Sequence, residues 1–162
     1  MSPALRTLLY LSLILGLALG LVPWQVLRLD AALAHSLQSF LTYLGLVLFL
    51  SGAALLFSGT YYLVLRGDGT PIPFDPPKRM VVAGPYAYVR HPMTLGLVVI
   101  VFAEAFWFYS ASLLVYAVLL TFLMNLYLIY IEEPGLEKRF GDDYRAYRAA
   151  VPRWLPFQER SQ

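Results

Sequence analysis

The 162-residue chain contains no cysteine, and this absence removes several kinds of site at once. Disulfide bonds, a thiolate nucleophile and a zinc site with cysteine ligands are excluded, while the redox compartment stays undetermined. The chain also has no dense run of basic residues, and its net charge is only +2. We therefore predict no metal site and no nucleic-acid partner.

Charged residues are scarce, at 14% of the chain, whereas 59% of the residues are hydrophobic. Soluble domains carry roughly 25% charged residues. So short a chain forms one domain and cannot hide this much apolar surface in its own interior. Lipid must cover the remainder, which predicts an integral membrane protein.

Four apolar runs account for most of the chain: residues 5–22, 37–65, 92–109 and 111–131. Each is long enough to cross, or nearly cross, a hydrocarbon core of about 30 Å. Arg6 followed by the apolar residues 8–21 resembles a signal peptide, but a retained helix fits the membrane-like remainder better. The sequence predicts an all-α bundle of about four transmembrane helices. Pro23 and Trp24 are expected to end the first helix.

Glycines 45, 52 and 59 recur at every seventh position along the second run. Small residues at this spacing lie near one face, where they favour close helix packing in lipid. Glycine is also common in membrane helices generally, so the pattern leaves both readings open.

Two polar segments complete one membrane domain, formed by residues 1–65, 66–91, 92–131 and 132–157. The segment 66–91 contains five prolines, which forbid a continuous helix and predict a loop. The runs 92–109 and 111–131 are joined so closely that they must form an antiparallel hairpin. After the hairpin, apolar residues at helical spacing predict an amphipathic helix. These residues are Leu136, Phe140, Tyr144, Tyr147 and Val151.

The basic residues predict the orientation in the membrane. With four crossings, Arg28 lies on one side and all other lysines and arginines lie on the opposite side. By the positive-inside rule, the long loop, the tail and both termini are cytosolic. The expected location is a bacterial inner membrane.

An antiparallel hairpin brings its two ends together, and both ends carry ionisable residues. His91 precedes the first helix, and Glu132 and Glu133 leave the second. His91 and Glu132 are therefore expected to be neighbours, although a pair of solvated boundary residues is the alternative. Carboxylates at a helix C-terminus oppose the helix dipole, so a cation should compensate them.

Three motifs occur in order around this hairpin. Residues 84–96 read GPYAYVRHPMTLG, residues 132–133 read EE, and residues 140–144 read FGDDY, followed by Tyr147 and Val151-Pro152. From residue 78 to residue 157 this pattern resembles the isoprenylcysteine carboxyl methyltransferase family, which is related to the phospholipid N-methyltransferases.

The resemblance implies a pocket for S-adenosylmethionine at the cytosolic end of the hairpin. The pocket would have no dinucleotide-binding fold, and the chain lacks G-x-G-x-x-G after a strand. Gly84 and Gly96 would allow tight turns and close backbone approach. By matching positions, the cofactor contacts would be Tyr86, His91, Pro92, Met93, Thr94 and Glu132, with backbone contacts from Lys78, Arg79, Met80 and Val81.

Two departures from the family pattern affect the second substrate. Thr94 stands where the motif usually has tyrosine, and Leu128 stands where eukaryotic members have an arginine near the substrate carboxylate. Asn125 and Leu128 are candidate acceptor-site residues, although for Asn125 a hydrogen bond within the bundle is favoured. Without that arginine, we expect a neutral or amphiphilic lipophilic acceptor, such as a phospholipid amine or hydrophobic thiol.

Other functions remain as alternatives at this stage. Glu104 lies inside a span, where it is either functional or reaches outward to water, and it would suit a small transporter. A haem with two histidine ligands is disfavoured, because His35 and His91 are expected on opposite membrane faces. A scaffold that retains the cofactor motif without activity is the third alternative.

Overall fold

The computed structural model describes residues 3–27, 38–68 and 77–154, and all regular secondary structure in these ranges is helical. In chain order the α-helices are α1 (Pro3–Leu15), α2 (Val22–Leu27), α3 (Gln38–Gly67), α4 (Pro92–Trp107), α5 (Ala111–Tyr127), α6 (Glu133–Phe140) and α7 (Asp142–Ala150). Several residues that carried sequence expectations lie outside the described ranges: Arg28, Asp30, His35, Pro71, Pro73, Pro76, Phe157 and Arg160.

Two helical stretches are long and apolar enough to cross a membrane. They are Phe40–Gly67 and Ala111–Phe140, with mean hydropathies of 2.2 and 2.1. Only 17% and 11% of their most apolar windows are buried within the protein, whereas the core helix of a soluble protein would be mostly buried. The shorter apolar helices Leu9–Gln25 and Pro92–Trp107 complete the set. The predicted all-α membrane bundle is confirmed.

The first helix continues beyond its predicted end. A π-helical turn spans Gly16–Leu21, and helix α2 carries the chain on through Pro23 to Leu27. Proline lacks an amide hydrogen and its ring clashes with the carbonyl four residues earlier. In the wide turn the amide of Val22 bonds to the carbonyl of Leu17, five residues back. This local change of pitch accommodates the proline, as π-turns do at many kinks.

Helices α3 and α4 pack closely along the glycine face. A Cβ atom added at Gly52 would lie 2.9 Å from the carbonyl oxygen of Gly96, and one added at Gly45 would lie 2.7 Å from the amide nitrogen of Trp107. Gly59 faces Met93 in the same way, at 2.8 Å. Any side chain at these positions would force the helices apart. The glycines at every seventh position therefore do mark a closely packed helix face.

The polar tail contains two helices where one was predicted. Helix α5 runs through a π-helical turn, Leu128–Glu132, directly into α6, and the chain then breaks at Gly141 with φ of 56°. A positive φ is natural for glycine, which has no Cβ atom. Asp142 and Asp143 follow in the first turn of α7, where the helix dipole favours carboxylates. The break turns α7 back toward the loop.

Glu104 does not reach outward to water. It lies on α4 with 8% of its surface exposed, and its Oε2 atom has no hydrogen-bond partner in the described part of the chain. Of the two interpretations of Glu104, the one in which its side chain reaches outward to water is therefore wrong. The side chain lies inside the helix bundle and not on its lipid-facing surface, so it does not extend to water.

Candidate functional site

The loop that leads into α4 is fixed at both ends. The amides of Lys78 and Arg79 donate to the carbonyl oxygen of Gly67, at 2.8 and 3.1 Å. Gly84 has φ of 63°, and a Cβ atom there would lie 2.5 Å from the ring of Tyr62. Only glycine satisfies both constraints, as the sequence predicted for a close backbone approach. The loop is therefore held against the end of α3.

His91 and Glu132 are neighbours, as the hairpin geometry predicted. The Nδ1 atom of His91 lies 3.1 Å from Oε1 of Glu132, although 41 positions separate the residues. The Nε2 atom of the same ring lies 3.4 Å from Oε1 of Glu133. His91 is 4% exposed, so water cannot replace either partner. The ring is held between two consecutive carboxylates.

This arrangement favours the protonated imidazole ring. A carboxylate only accepts hydrogen bonds, and a neutral imidazole has a single N–H donor, so both bonds require the imidazolium form. Burial alone would lower the pKa of His91, but the hydrogen bonds to Glu132 and Glu133 outweigh it and raise the pKa above its usual value.

The two glutamates emerge from the π-helical turn Leu128–Glu132. An extra residue in the turn shifts the positions that follow it around the helix axis, and π-turns of this kind occur frequently at functional sites. Here the turn delivers Glu132 to one nitrogen of His91 and Glu133 to the other. The sequence shows the change from apolar to polar residues at this point but not the change of helical pitch.

Glu133 is the most heavily bonded residue of the site. Arg153 donates to it twice, from Nε to Oε1 at 2.6 Å and from Nη2 to Oε2 at 2.9 Å. The Nη1 atom of Arg90 lies 3.1 Å from the same Oε1 atom. The Glu133 side chain is 5% exposed, so the alternative of a solvated boundary residue is wrong for this position. A buried carboxylate requires cationic partners. The sequence predicted a compensating cation for the glutamates but did not show which residues supply it.

The tail reaches back over the hairpin through three further bonds. The carbonyl of Pro152 accepts from the amide of Arg90 at 2.9 Å. The Tyr147 hydroxyl donates to the carbonyl oxygen of Tyr86 at 2.7 Å. The indole N–H of Trp154 donates to Oδ1 of Asn125 at 3.0 Å. Within the described part of the chain, the side chain of Asn125 therefore bonds to the tail rather than to another transmembrane helix.

The residues of the proline motif are placed as follows. Pro92 is fully buried at the start of α4, Met93 packs against Gly59, and Thr94 is half-buried. Tyr86 is 8% exposed, and burial together with the charge of Glu132 raises the pKa of its hydroxyl. His91, Tyr86 and Glu132 therefore form one cluster.

The remaining predicted residues lie in the loop before α4 and in the π-helical turn after α5. Lys78 and Arg79 have exposed side chains, and their amides are already bonded to Gly67, so they have no free amide for a cofactor. Met80 is half-buried and Val81 is buried. Leu128 is completely buried at 0% exposure and so lines no open surface.

Comparison with known proteins identifies the family of the chain. Residues 40–143 match the model of the phospholipid methyltransferase family. An uncharacterized protein of Haemophilus influenzae is 35% identical over 63 residues, which are 39% of this chain and the whole of that protein. No solved structure matches. The fold and the family match define a membrane methyltransferase. The chain belongs to the phospholipid methyltransferase family, and the relationship suspected from its motifs is confirmed.

The cluster makes a prediction about stability. Glu133→Gln removes the negative charge but leaves Arg90 and Arg153 in place, so two guanidinium groups lose their buried counter-ion. Breaking such a pair costs about 3–5 kcal/mol. The change should be measured as the free energy of unfolding in detergent.

Glu137→Gln is the matched control for this measurement. Glu137 lies one turn later on α6 and also contacts two arginines, Arg145 and Arg148, but its side chain is 32% exposed. Exposed pairs contribute about 0–1 kcal/mol, so this variant should stay close to the parent. Equal losses in the two variants would show that Glu133 does not hold the site together.

Proposed function

We propose that the protein transfers a methyl group from S-adenosylmethionine to a lipophilic acceptor at the His91–Glu132 cluster. The observation that carries the proposal is the buried pairing of His91 with Glu132 at the end of the hairpin. Membership of the family supports it, because these enzymes generally use S-adenosylmethionine. When bound, this cofactor supplies an electrophilic methyl group on a sulfonium ion.

The residues present fit such a cofactor. Glu132 keeps a side chain that is 35% exposed, although one of its oxygens is bonded to His91. It can accept hydrogen bonds from ribose hydroxyls or from the ammonium group of the methionine part. Tyr86 and His91 lie beside it in a partly apolar wall. Buried, mutually bonded side chains provide the fixed geometry that a binding site needs.

Positioning is the main task of the protein in this chemistry. Methyl transfer is an in-line displacement, and holding two reactants in line removes much of the entropic barrier. His91, bonded on both sides, cannot rotate away from Glu132 without breaking two contacts. The tail covers the cluster through Pro152 and Arg153, which limits the access of water.

The positions of the nearby arginines favour a neutral acceptor. Arg90 is directed to Glu133, and Arg145 contacts Asp142 and Glu137 at the surface between α6 and α7. Neither arginine folds over the hairpin to meet an acceptor carboxylate. Leu128 contributes no charge. A phospholipid amine or a hydrophobic thiol therefore suits the site better than a prenylcysteine carboxylate, because an unpaired carboxylate is costly to desolvate.

The orientation of the site is part of the proposal. By the positive-inside rule, the asymmetry of basic residues supports a cytosolic position for the cluster, the tail and both termini. A cofactor from the cytosol and an acceptor from the lipid would then meet at one depth.

Single cysteines test this orientation in a chain that has none. Ser110, at the hairpin tip, is buried and accepts a hydrogen bond from the amide of Leu113, so the exposed Ala111 beside it is the better site. In intact cells Ala111→Cys should react with a membrane-impermeant maleimide. Ala149→Cys, exposed on α7, should react only after lysis. The reverse pattern would place the cluster outside the cytosol.

Cofactor binding is the direct test of the cluster. His91→Ala and Glu132→Gln each remove a charge-assisted hydrogen-bonding group, worth about 1.5–3 kcal/mol. Each variant should therefore bind S-adenosylmethionine roughly ten- to a hundredfold more weakly in calorimetry on detergent-solubilised protein. Glu137→Gln, on the same tail but outside the cluster, should bind like the parent. Unchanged binding in both cluster variants would remove the basis of the proposal.

The acceptor class requires a separate experiment. Tritiated S-adenosylmethionine is supplied with phosphatidylethanolamine, alkyl thiols and prenylcysteine analogues, and the methylated products are separated. Saturable methylation of the amine or the thiol is expected. Methylation of the prenylcysteine analogue alone would show that the site does accept a carboxylate.

A further inference from the structure

Three cationic donors converge on a single oxygen atom in the cluster. Oε1 of Glu133 lies 2.6 Å from Nε of Arg153, 3.1 Å from Nη1 of Arg90 and 3.4 Å from Nε2 of His91. Arg153 forms a bidentate pair with well-directed bonds. A carboxylate oxygen has two lone pairs, so it cannot accept a full hydrogen bond from all three donors.

Arg90 is the residue whose N–H groups lack hydrogen-bond acceptors. Its Nη1 atom is at ion-pair distance from Glu133 but makes no directed hydrogen bond, and its Nε atom has no partner in the described part of the chain. Its side chain is 10% exposed. Buried nitrogen donors are nearly always hydrogen-bonded in folded proteins, so two open donors on one guanidinium group call for an explanation.

Tyr144, next to Arg90, also has a buried donor that lacks an acceptor. The residue is 1% exposed, and the Arg90 guanidinium lies close enough to donate to its hydroxyl oxygen. Burial raises the pKa of this hydroxyl, while the neighbouring charge of Arg90 and its hydrogen bond act in the opposite direction. The hydroxyl therefore stays protonated, and its own hydrogen has no acceptor among the described residues. At least one nitrogen of Arg90 and the Tyr144 hydroxyl remain as open donors from separate segments.

The charges in the cluster do not balance. Arg90, Arg153 and the protonated His91 carry three positive charges, and Glu132 and Glu133 carry two negative charges. One positive charge is in excess, and Arg90 is the more buried of the two arginines, so its charge is the costlier one to leave uncompensated. A negatively charged group of a ligand, placed beside Arg90, would compensate this charge locally.

We propose that Arg90 and Tyr144 bind the carboxylate of the methionine part of S-adenosylmethionine. The inference rests on the proposed function and extends it to residues outside the expected cofactor contacts. A guanidinium group matches a planar carboxylate through two parallel N–H bonds. Arg90 adjoins His91 in the chain, so the carboxylate would lie next to the pair that holds the rest of the cofactor.

The test compares two ligands that differ in this one group. Calorimetry on the full-length solubilised protein measures the affinity for S-adenosylmethionine and for its decarboxylated analogue. The parent should bind the analogue roughly ten- to a hundredfold more weakly. Arg90→Gln should lose a similar factor for S-adenosylmethionine but almost nothing for the analogue. Tyr144→Phe, which keeps the buried ring, should show the same selectivity with a loss of about three- to tenfold.

Arg148→Gln is the control, because Arg148 is exposed on α7 one turn from Tyr144 and pairs with Glu137. It should leave both affinities unchanged.

If the parent binds both ligands equally, or if Arg90→Gln and Tyr144→Phe weaken the binding of both ligands by the same factor, the carboxylate assignment is wrong while the cofactor site stands. If the parent binds neither ligand, the proposed function fails together with the assignment. A loss of phospholipid binding alone in Arg90→Gln would assign the donors to a lipid phosphate and overturn the inference.

Discussion

The site depends on one buried carboxylate. Glu133 accepts contacts from Arg90 and His91 at the start of α4 and from Arg153 in the tail. Without it, two arginines and a histidine would be buried with no common counter-ion, and the cost would exceed that of any single neutral hydrogen bond. The residue thereby joins three segments that are far apart in sequence.

Close packing of the membrane helices sets the frame for this junction. Gly52 and Gly96 bring α3 and α4 into backbone contact, and Gly59 extends the contact toward Met93 at the start of α4. The end of α3 then receives the loop through the carbonyl oxygen of Gly67. Because the apolar faces that remain exposed are large, lipid stabilises the bundle from outside, while the polar cluster forms at one end.

Much of this arrangement could be predicted from the sequence. The hairpin followed from two apolar runs with almost no link, and it correctly brought His91 to Glu132. The glycine spacing offered a packed face as one of two interpretations, and the close approach of α3 and α4 supports it. Both features are periodic or topological, so they survive without knowledge of side-chain directions.

Other features depend on geometry that a pattern does not contain. The π-helical turn Leu128–Glu132 changes the direction of Glu133, and no residue type in that stretch marks it. Arg153 follows the last helix of the tail, so its pairing with Glu133 depends on the reversal of the chain at Gly141. The predicted single amphipathic helix had no such reversal. The same limit explains why Asn125 was assigned to the bundle or to the acceptor rather than to Trp154.

The most direct test of the central claim is to locate the cofactor on the chain. Methyl-tritiated S-adenosylmethionine is cross-linked to the solubilised protein by ultraviolet light, and the labelled peptides are identified by mass spectrometry. Saturable label within residues 80–94 or 125–133, abolished by excess unlabelled cofactor, is the predicted result. Label confined to the surface between α6 and α7, or no saturable label at all, would contradict the account.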